Sequence, residues 1–206
     1  MFESLYLFSL ATMALALSPG PDNIYVLTQS LTNGAKSGIA TTAGLISGCI
    51  VHTTLLAFGV SIIITTSPIL FYSIKVFGAC YLIYLAWKVF RSDPDINLGT
   101  KASKKSYGQL YKQGVIMNLV NPKVLIFFLA FFPGFLWEPS GNTVLQFYVL
   151  GITFMVVSFM VFSGLALLAG SISSYMLNHK NTGTILKWLQ IVVFVGIAVY
   201  ILLPEN

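Results

Sequence analysis

The length of its apolar runs is the strongest constraint on this 206-residue chain. Residues 5–31, 39–61, 69–90, 111–132, 144–168 and 185–203 are each about as long as the roughly 20 apolar residues that carry a helix across a bilayer. Turn signals separate them: Thr32-Asn33-Gly34, Thr66-Ser67-Pro68, a polar stretch over 91–108, Pro133-Gly134, and residues 178–183. With 56% of residues hydrophobic and 8% charged, against roughly 25% charged in an ordinary soluble domain, no soluble fold of this size can bury so much apolar surface. The runs also lack the roughly ten-residue alternation of outer-membrane strands, so the spans are helices. The expected fold is all-α, a polytopic membrane protein with six transmembrane helices in a single membrane domain over 1–206.

Two of the runs are interrupted. In the first lies Leu17-Ser18-Pro19-Gly20-Pro21-Asp22-Asn23. Two prolines remove two backbone donors and Gly20 adds freedom, so a helix must unwind or break at Pro19, Gly20 and Pro21. Asp22 is thereby left in apolar surroundings, where an acid costs roughly 2.5–3.5 kcal/mol on insertion scales and marks a functional site by default. The competing reading ends the first segment at Pro19 and puts Asp22 in a surface loop. Against it stands the fourth run, which repeats the device: Asn118-Leu119-Val120-Asn121-Pro122-Lys123 has amides before a proline and a charge directly after it.

Each break is followed by about ten residues, a turn, and then two unbroken spans. The chain therefore divides into a three-helix unit over 1–90, a cytoplasmic linker loop over 91–110 and a second three-helix unit over 111–206, each unit opening with its broken helix. Three is odd, so the second unit enters the membrane from the opposite side and the repeat is inverted. Paired interrupted helices in corresponding positions point to a transporter's binding site near the midplane. Half-helices starting after each proline direct N-terminal amides inward, where they favour a carboxylate. Asp22 and Lys123 follow corresponding prolines and are expected at similar depth, matching the ammonium and carboxylate of a zwitterion. Lys123 alternatively snorkels to the inner surface. The candidate substrate-binding set is Asp22, Asn23, Asn118, Asn121 and Lys123, with Pro19, Gly20, Pro21 and Pro122 as the helix breakers.

Orientation follows from the basic residues. With the 91–108 loop inside, the cytoplasmic side holds Lys36, Lys88, Arg91, Lys101, Lys104, Lys105, Lys112, Lys180 and Lys187, whereas the outside holds Lys75 with Glu3, Glu138 and Glu205. Both termini are then expected to lie outside. The net charge of +5 reflects these loops and not a nucleic-acid surface. The start, Met1-Phe2-Glu3-Ser4, has no basic n-region, so the first helix is expected to be retained. In the second helix Ala40, Gly44, Gly48 and His52 recur every four residues, the spacing of a close helix–helix contact. His52 on that stripe is either a packing residue or a proton carrier, which makes it a coupling candidate beside Asp22. Tyr84 and Trp87 suit an interfacial belt. Cys49 and Cys80 read as small buried hydrophobes away from the breaks.

The motifs Ser18-Pro19-Gly20-Pro21-Asp22-Asn23, and Asn118-Leu119-Val120-Asn121-Pro122-Lys123 followed by the run from Phe127 to Pro133, together resemble the two signature motifs of the LysE/RhtB amino-acid exporters. The segment from Lys75 to Leu85 is similar to that family's third helix. The resemblance implies a bacterial inner-membrane exporter of amino acids or their derivatives, driven by the proton gradient; neutral or hydroxylated amino acids such as threonine or homoserine are favoured as substrates. The expected partners are an amino acid, protons and the lipid bilayer, with a homodimer as the assembly to consider, no nucleic acid, no cofactor and no resident metal. The chain has no P-loop, so ATP is not its direct energy source. Two other classes compete: a thiol-redox electron carrier using Cys49 and Cys80, and an exporter of metal or other inorganic ions, for which one acid and one His make a poor ligand set. An intramembrane hydrolase lacks a visible acid pair or activated nucleophile, and no enzymatic role is expected.

Overall fold

The computed structural model describes residues 1–18, 20–92, 103–138, 141–178 and 182–203. Pro19, Lys180 and Glu205, and residues 93–102 of the linker loop with Lys101 among them, lie outside the described residues. Every regular element among the described residues is helical. Two bent pairs contain the proline motifs. Helices α1 (Phe2–Leu17) and α2 (Pro21–Asn33) meet at 62°, and α6 (Tyr107–Val120) meets the segment Pro122–Phe135 at 53°. That segment comprises α7 (Pro122–Ile126), a π-helical turn (Phe127–Phe131) and a 3-10 turn (Phe132–Phe135).

Four further stretches are long and apolar enough to cross a bilayer without a break: Ala35–Ile63, Ile69–Arg91, Thr143–Leu167 and Thr182–Leu202. The first joins α3 (Ala35–Leu55) to α4 (Ser61–Thr66) through a second π-helical turn, Leu56–Val60. The others are α5 (Pro68–Arg91), α8 (Thr143–Leu167) and α10 (Thr182–Leu202), and the short α9 (Ala169–Asn178) continues α8 beyond Leu168. With each bent pair counted as one span the total is six. The molecule is an all-helical, multi-pass membrane protein.

Helix ends follow local chemistry. Gly34 closes α2 at φ 86°, a region that favours glycine. Ser67 caps α5 by accepting from the Leu70 N–H, and Pro68 occupies the first helical position, where no donor is needed. Ser106 and Gln109 form a reciprocal capping box, so α6 begins at Tyr107, one turn before its apolar run.

The closest packing joins α3 to α6. A methyl on Gly44 would run into the Tyr111 carbonyl, and one on Gly114 into the Thr41 carbonyl. The small-residue stripe of α3 is thus the face that receives α6. Two apolar clusters flank the helix breaks. The larger is aromatic, built from Phe8, Phe127, Phe128, Phe131, Phe132 and Phe154 with their neighbours; Phe128 stacks on Phe132 with centroids 4.1 Å apart. The smaller contains Ala16, Val26, Leu45, Phe162 and Ala166. Exposed Tyr84 and Trp87 lie near the end of α5, where Arg91 covers the Trp87 ring at 4.7 Å.

Candidate functional site

The site is built from what the broken helices leave unsatisfied. Within a helix the carbonyl of residue i receives the N–H of residue i+4, and away from water each carbonyl still needs a partner. At the first break the ladder ends with the Ser18 N–H, which reaches the Ala14 and Leu15 carbonyls at 3.0 and 3.2 Å. Ala16 and Ser18 then lack their regular donors, and side chains take over. Asn23 Nδ2 donates to the Ala16 carbonyl at 2.7 Å. Lys123 Nζ, arriving from the second break, reaches the Ser18 carbonyl at 3.4 Å, long for a charged donor.

The second break has the same deficit. Pro122 carries no N–H, so the Asn118 carbonyl loses its i+4 donor. It accepts instead from the Asn121 N–H at 3.1 Å, and His52 Nε2 lies 3.3 Å away on the other side. Asn121 sits between α6 and α7 with extended backbone. Its Oδ1 accepts from the Lys123 N–H at 3.0 Å, capping α7, while its Nδ2 donates to Asp22 Oδ2 at 2.8 Å. One amide therefore joins both breaks. Asp22 occupies the first turn of α2, where the helix dipole favours an anion. Among the described residues, Asp22 and Lys123 form no direct ion pair; Asn121 stands between them.

A cavity of about 500 Å³, counting its open mouth, lies where the breaks meet. Gly20, Pro21, Asp22, Asn23, Asn118, Asn121 and Lys123 all contribute to its wall. The Lys123 ammonium also lies 5.3 Å over the Phe194 ring. A methyl on Gly20 would lie 3.6 Å from the same ammonium. Pro122 is not in the wall, and Pro19 is outside the described residues. His52 is also absent from the wall: it is buried behind Asn118, with its ring centroid 5.5 Å from that of Phe128 and no partner for Nδ1 among the described residues.

Several wall residues escaped the sequence reading. Leu45, Ile46 and Cys49 come from α3, and Phe154, Ser158 and Phe162 from α8. Phe154, Ser158 and Phe162 lie four apart on the buried face of α8, a helical stripe that was the available signal. The cysteines need correction. Cys49 is buried as expected, yet it belongs to the cavity wall and accepts from Asn118 Nδ2 at 3.4 Å, so it adjoins the breaks in space although not in sequence. Cys80 is exposed, because its position on α5 faces away from the bundle. A thiol pair that exchanges electrons must approach closely, and these two are placed on different surfaces.

The chain matches the family model of the LysE type translocators over residues 13–205. It is 34% identical over 180 residues to the homoserine/homoserine lactone efflux protein of Salmonella typhimurium, with 87% of each chain covered. The protein of the same name from Salmonella typhi is 35% identical over 180 residues, again with 87% of each chain covered. No solved structure matches the chain. The match extends through both helix breaks and the helices that pack around them, and the chain belongs to the LysE type translocator family.

Proposed function

We propose that the protein is a secondary transporter that exports neutral amino acids or close derivatives, homoserine or threonine among them, across the bacterial inner membrane. The observation that carries this reading is the convergence of two broken helices on one cavity whose wall holds one carboxylate, Asp22, and one ammonium, Lys123. A zwitterionic amino acid presents the complementary pair. Its ammonium goes to Asp22, and its carboxylate goes to Lys123 and the amides at the start of α2. Lys123 has three N–H groups, of which one serves the Ser18 carbonyl, so donors remain for a ligand. The names of the Salmonella relatives support the substrate class.

The two three-helix units act as inverted repeats, with the linker loop in the cytoplasm and both termini in the periplasm. Export is driven by proton entry: Asp22, on binding a proton, releases the substrate ammonium, and His52 is a second coupling candidate through its contact with the Asn118 carbonyl. Purified protein in proteoliposomes, loaded with labelled L-homoserine, tests the substrate site. Asp22→Asn and Lys123→Met should each stop transport while the protein still inserts and purifies as a single species. A normal rate in either variant removes that residue from the site.

A further inference from the structure

Hydroxyls inside the spans of this protein mostly bond back to their own helix. Ser30 reaches the Val26 carbonyl, Thr41 that of Ser37, Ser47 that of Ala43 and Thr153 that of Val149, each four residues earlier. Several buried hydroxyls depart from this pattern, among them those of Thr42, Thr53, Ser163 and Ser158; Ser158 lies five residues beyond Thr153 on α8. It is 2% exposed, and its Oγ has no partner among the described residues. A buried hydroxyl left without a partner is costly, and such a group in a native site calls for an explanation.

Of the buried side-chain atoms in that condition, those of Asn118 and Ser158 belong to residues of the cavity wall. Asn118 Oδ1 is turned toward α3, where a methyl on Gly48 would meet it at 2.5 Å. Ser158 is therefore the wall residue whose hydroxyl is left without a partner among the described residues. Apart from Asp22 and Lys123 the lining of the cavity carries no charged side chain, and Leu45, Phe154 and Phe162 are among its apolar residues. On the reading given above, Asp22 and Lys123 hold the α-ammonium and α-carboxylate. A charged substrate side chain would then find no counter-ion in the wall, and a wholly apolar one would leave Ser158 unsatisfied.

We propose that Ser158 is a specificity-determining residue, whose hydroxyl hydrogen-bonds a polar group on a short, neutral substrate side chain while the apolar wall around it rejects charged ones. This inference rests on the proposed substrate site and adds to it the face that reads the side chain. The test compares L-homoserine with L-norvaline, which replaces the side-chain hydroxyl by a methyl, in proteoliposomes of the whole protein. The wild type should move homoserine about tenfold faster at limiting concentration, the worth of one hydrogen bond in a desolvated site. Ser158→Ala should bring the ratio close to one by slowing homoserine alone, and Ser158→Thr, which keeps the hydroxyl, should restore the preference. Because Ser158 makes no bond in the described structure, the alanine variant leaves packing intact.

Asp22→Asn separates this inference from its foundation. Loss of both substrates in Asp22→Asn, with an unchanged ratio in Ser158→Ala, overturns the role of Ser158 alone. A wild type that moves neither amino acid, or does not distinguish them, also overturns it. Wild-type transport of both by Asp22→Asn overturns the site itself and this inference with it.

Discussion

The contact between Asn121 and Asp22 joins residues 99 apart in sequence, and a change of one atom tests what it does. Asn121→Asp keeps an acceptor for the Lys123 N–H, so the cap of α7 survives. It replaces the donor to Asp22, however, with a second carboxylate at a spacing set by the present 2.8 Å bond. Two unit charges at that distance repel by about 6 kcal/mol at an effective dielectric of about 20. That is comparable with the roughly 5–15 kcal/mol stability of a folded domain. For a chain of this size it corresponds to a fall in Tm on the order of 10–20 °C. Thermal unfolding in detergent, read by size-exclusion chromatography after heating, measures this directly. Asp22→Asn should behave differently: the amide at position 22 still offers an oxygen to Asn121, so Tm should stay within about 3 °C, a change of about 1 kcal/mol, while transport is lost. The double variant Asp22→Asn/Asn121→Asp restores one donor and one acceptor with the charge moved to the other helix. It should recover most of the Tm but not the transport. An Asn121→Asp protein with wild-type Tm and transport would refute the argument that this amide couples the two breaks.

Three further outcomes follow from the same geometry. Gly44→Ala drives a methyl into the Tyr111 backbone, which cannot turn aside, and should cost about 1–3 kcal/mol or more; Gly48→Ala meets the Asn118 side chain from Oδ1 down to Cβ, so Asn118 itself must shift, and transport should fall together with a smaller loss of Tm. Equal Tm losses in the two variants would contradict this contrast. If His52 carries the coupled proton, His52→Gln should abolish gradient-driven export and leave substrate exchange partly intact, whereas normal export with an unchanged pH profile would make His52 a packing residue. Single cysteines at Ser4 and Ser103 should label with an impermeant reagent from the periplasmic and cytoplasmic sides respectively; labelling from the same side would end the inverted-repeat reading.

How much of this was legible in the sequence depended on whether the physics was local. Span positions are local, because about twenty apolar residues need no knowledge of their neighbours to prefer a bilayer. The breaks are local too: Pro21 and Pro122 lack an N–H whatever surrounds them. The apolar run marks the start of α6 a turn late because its first turn is polar, and the Ser106–Gln109 capping box that starts it carries no hydrophobic signal. The π-helical turns at Leu56–Val60 and Phe127–Phe131 had no marker in the residue types, since an extra residue per turn is set by what the helix packs against. The exposure of Cys80 depended likewise on which face of α5 meets the bundle.

The site divides along the same line. A missing donor can be read from a proline, so the sequence says that the Asn118 carbonyl needs help; it does not say that His52, 66 residues earlier, provides it. That answer requires α3 and α6 to approach as closely as Gly44 and Gly114 allow, which sets the depth of His52 against Asn118. The same reasoning assigns two functions to one set of residues. Asn23, Asn121 and Lys123 are the polar groups that the breaks require in order to exist in an apolar environment, and they are also the polar groups that line the cavity. Asn23 is committed to the Ala16 carbonyl by a short bond of 2.7 Å, whereas the contact of Lys123 with Ser18 is long at 3.4 Å and uses one of its three donors. Of the two, Lys123 has the capacity to turn toward a ligand without unmaking the break. Losing Asn23 should therefore appear first in folding, and losing Lys123 first in transport.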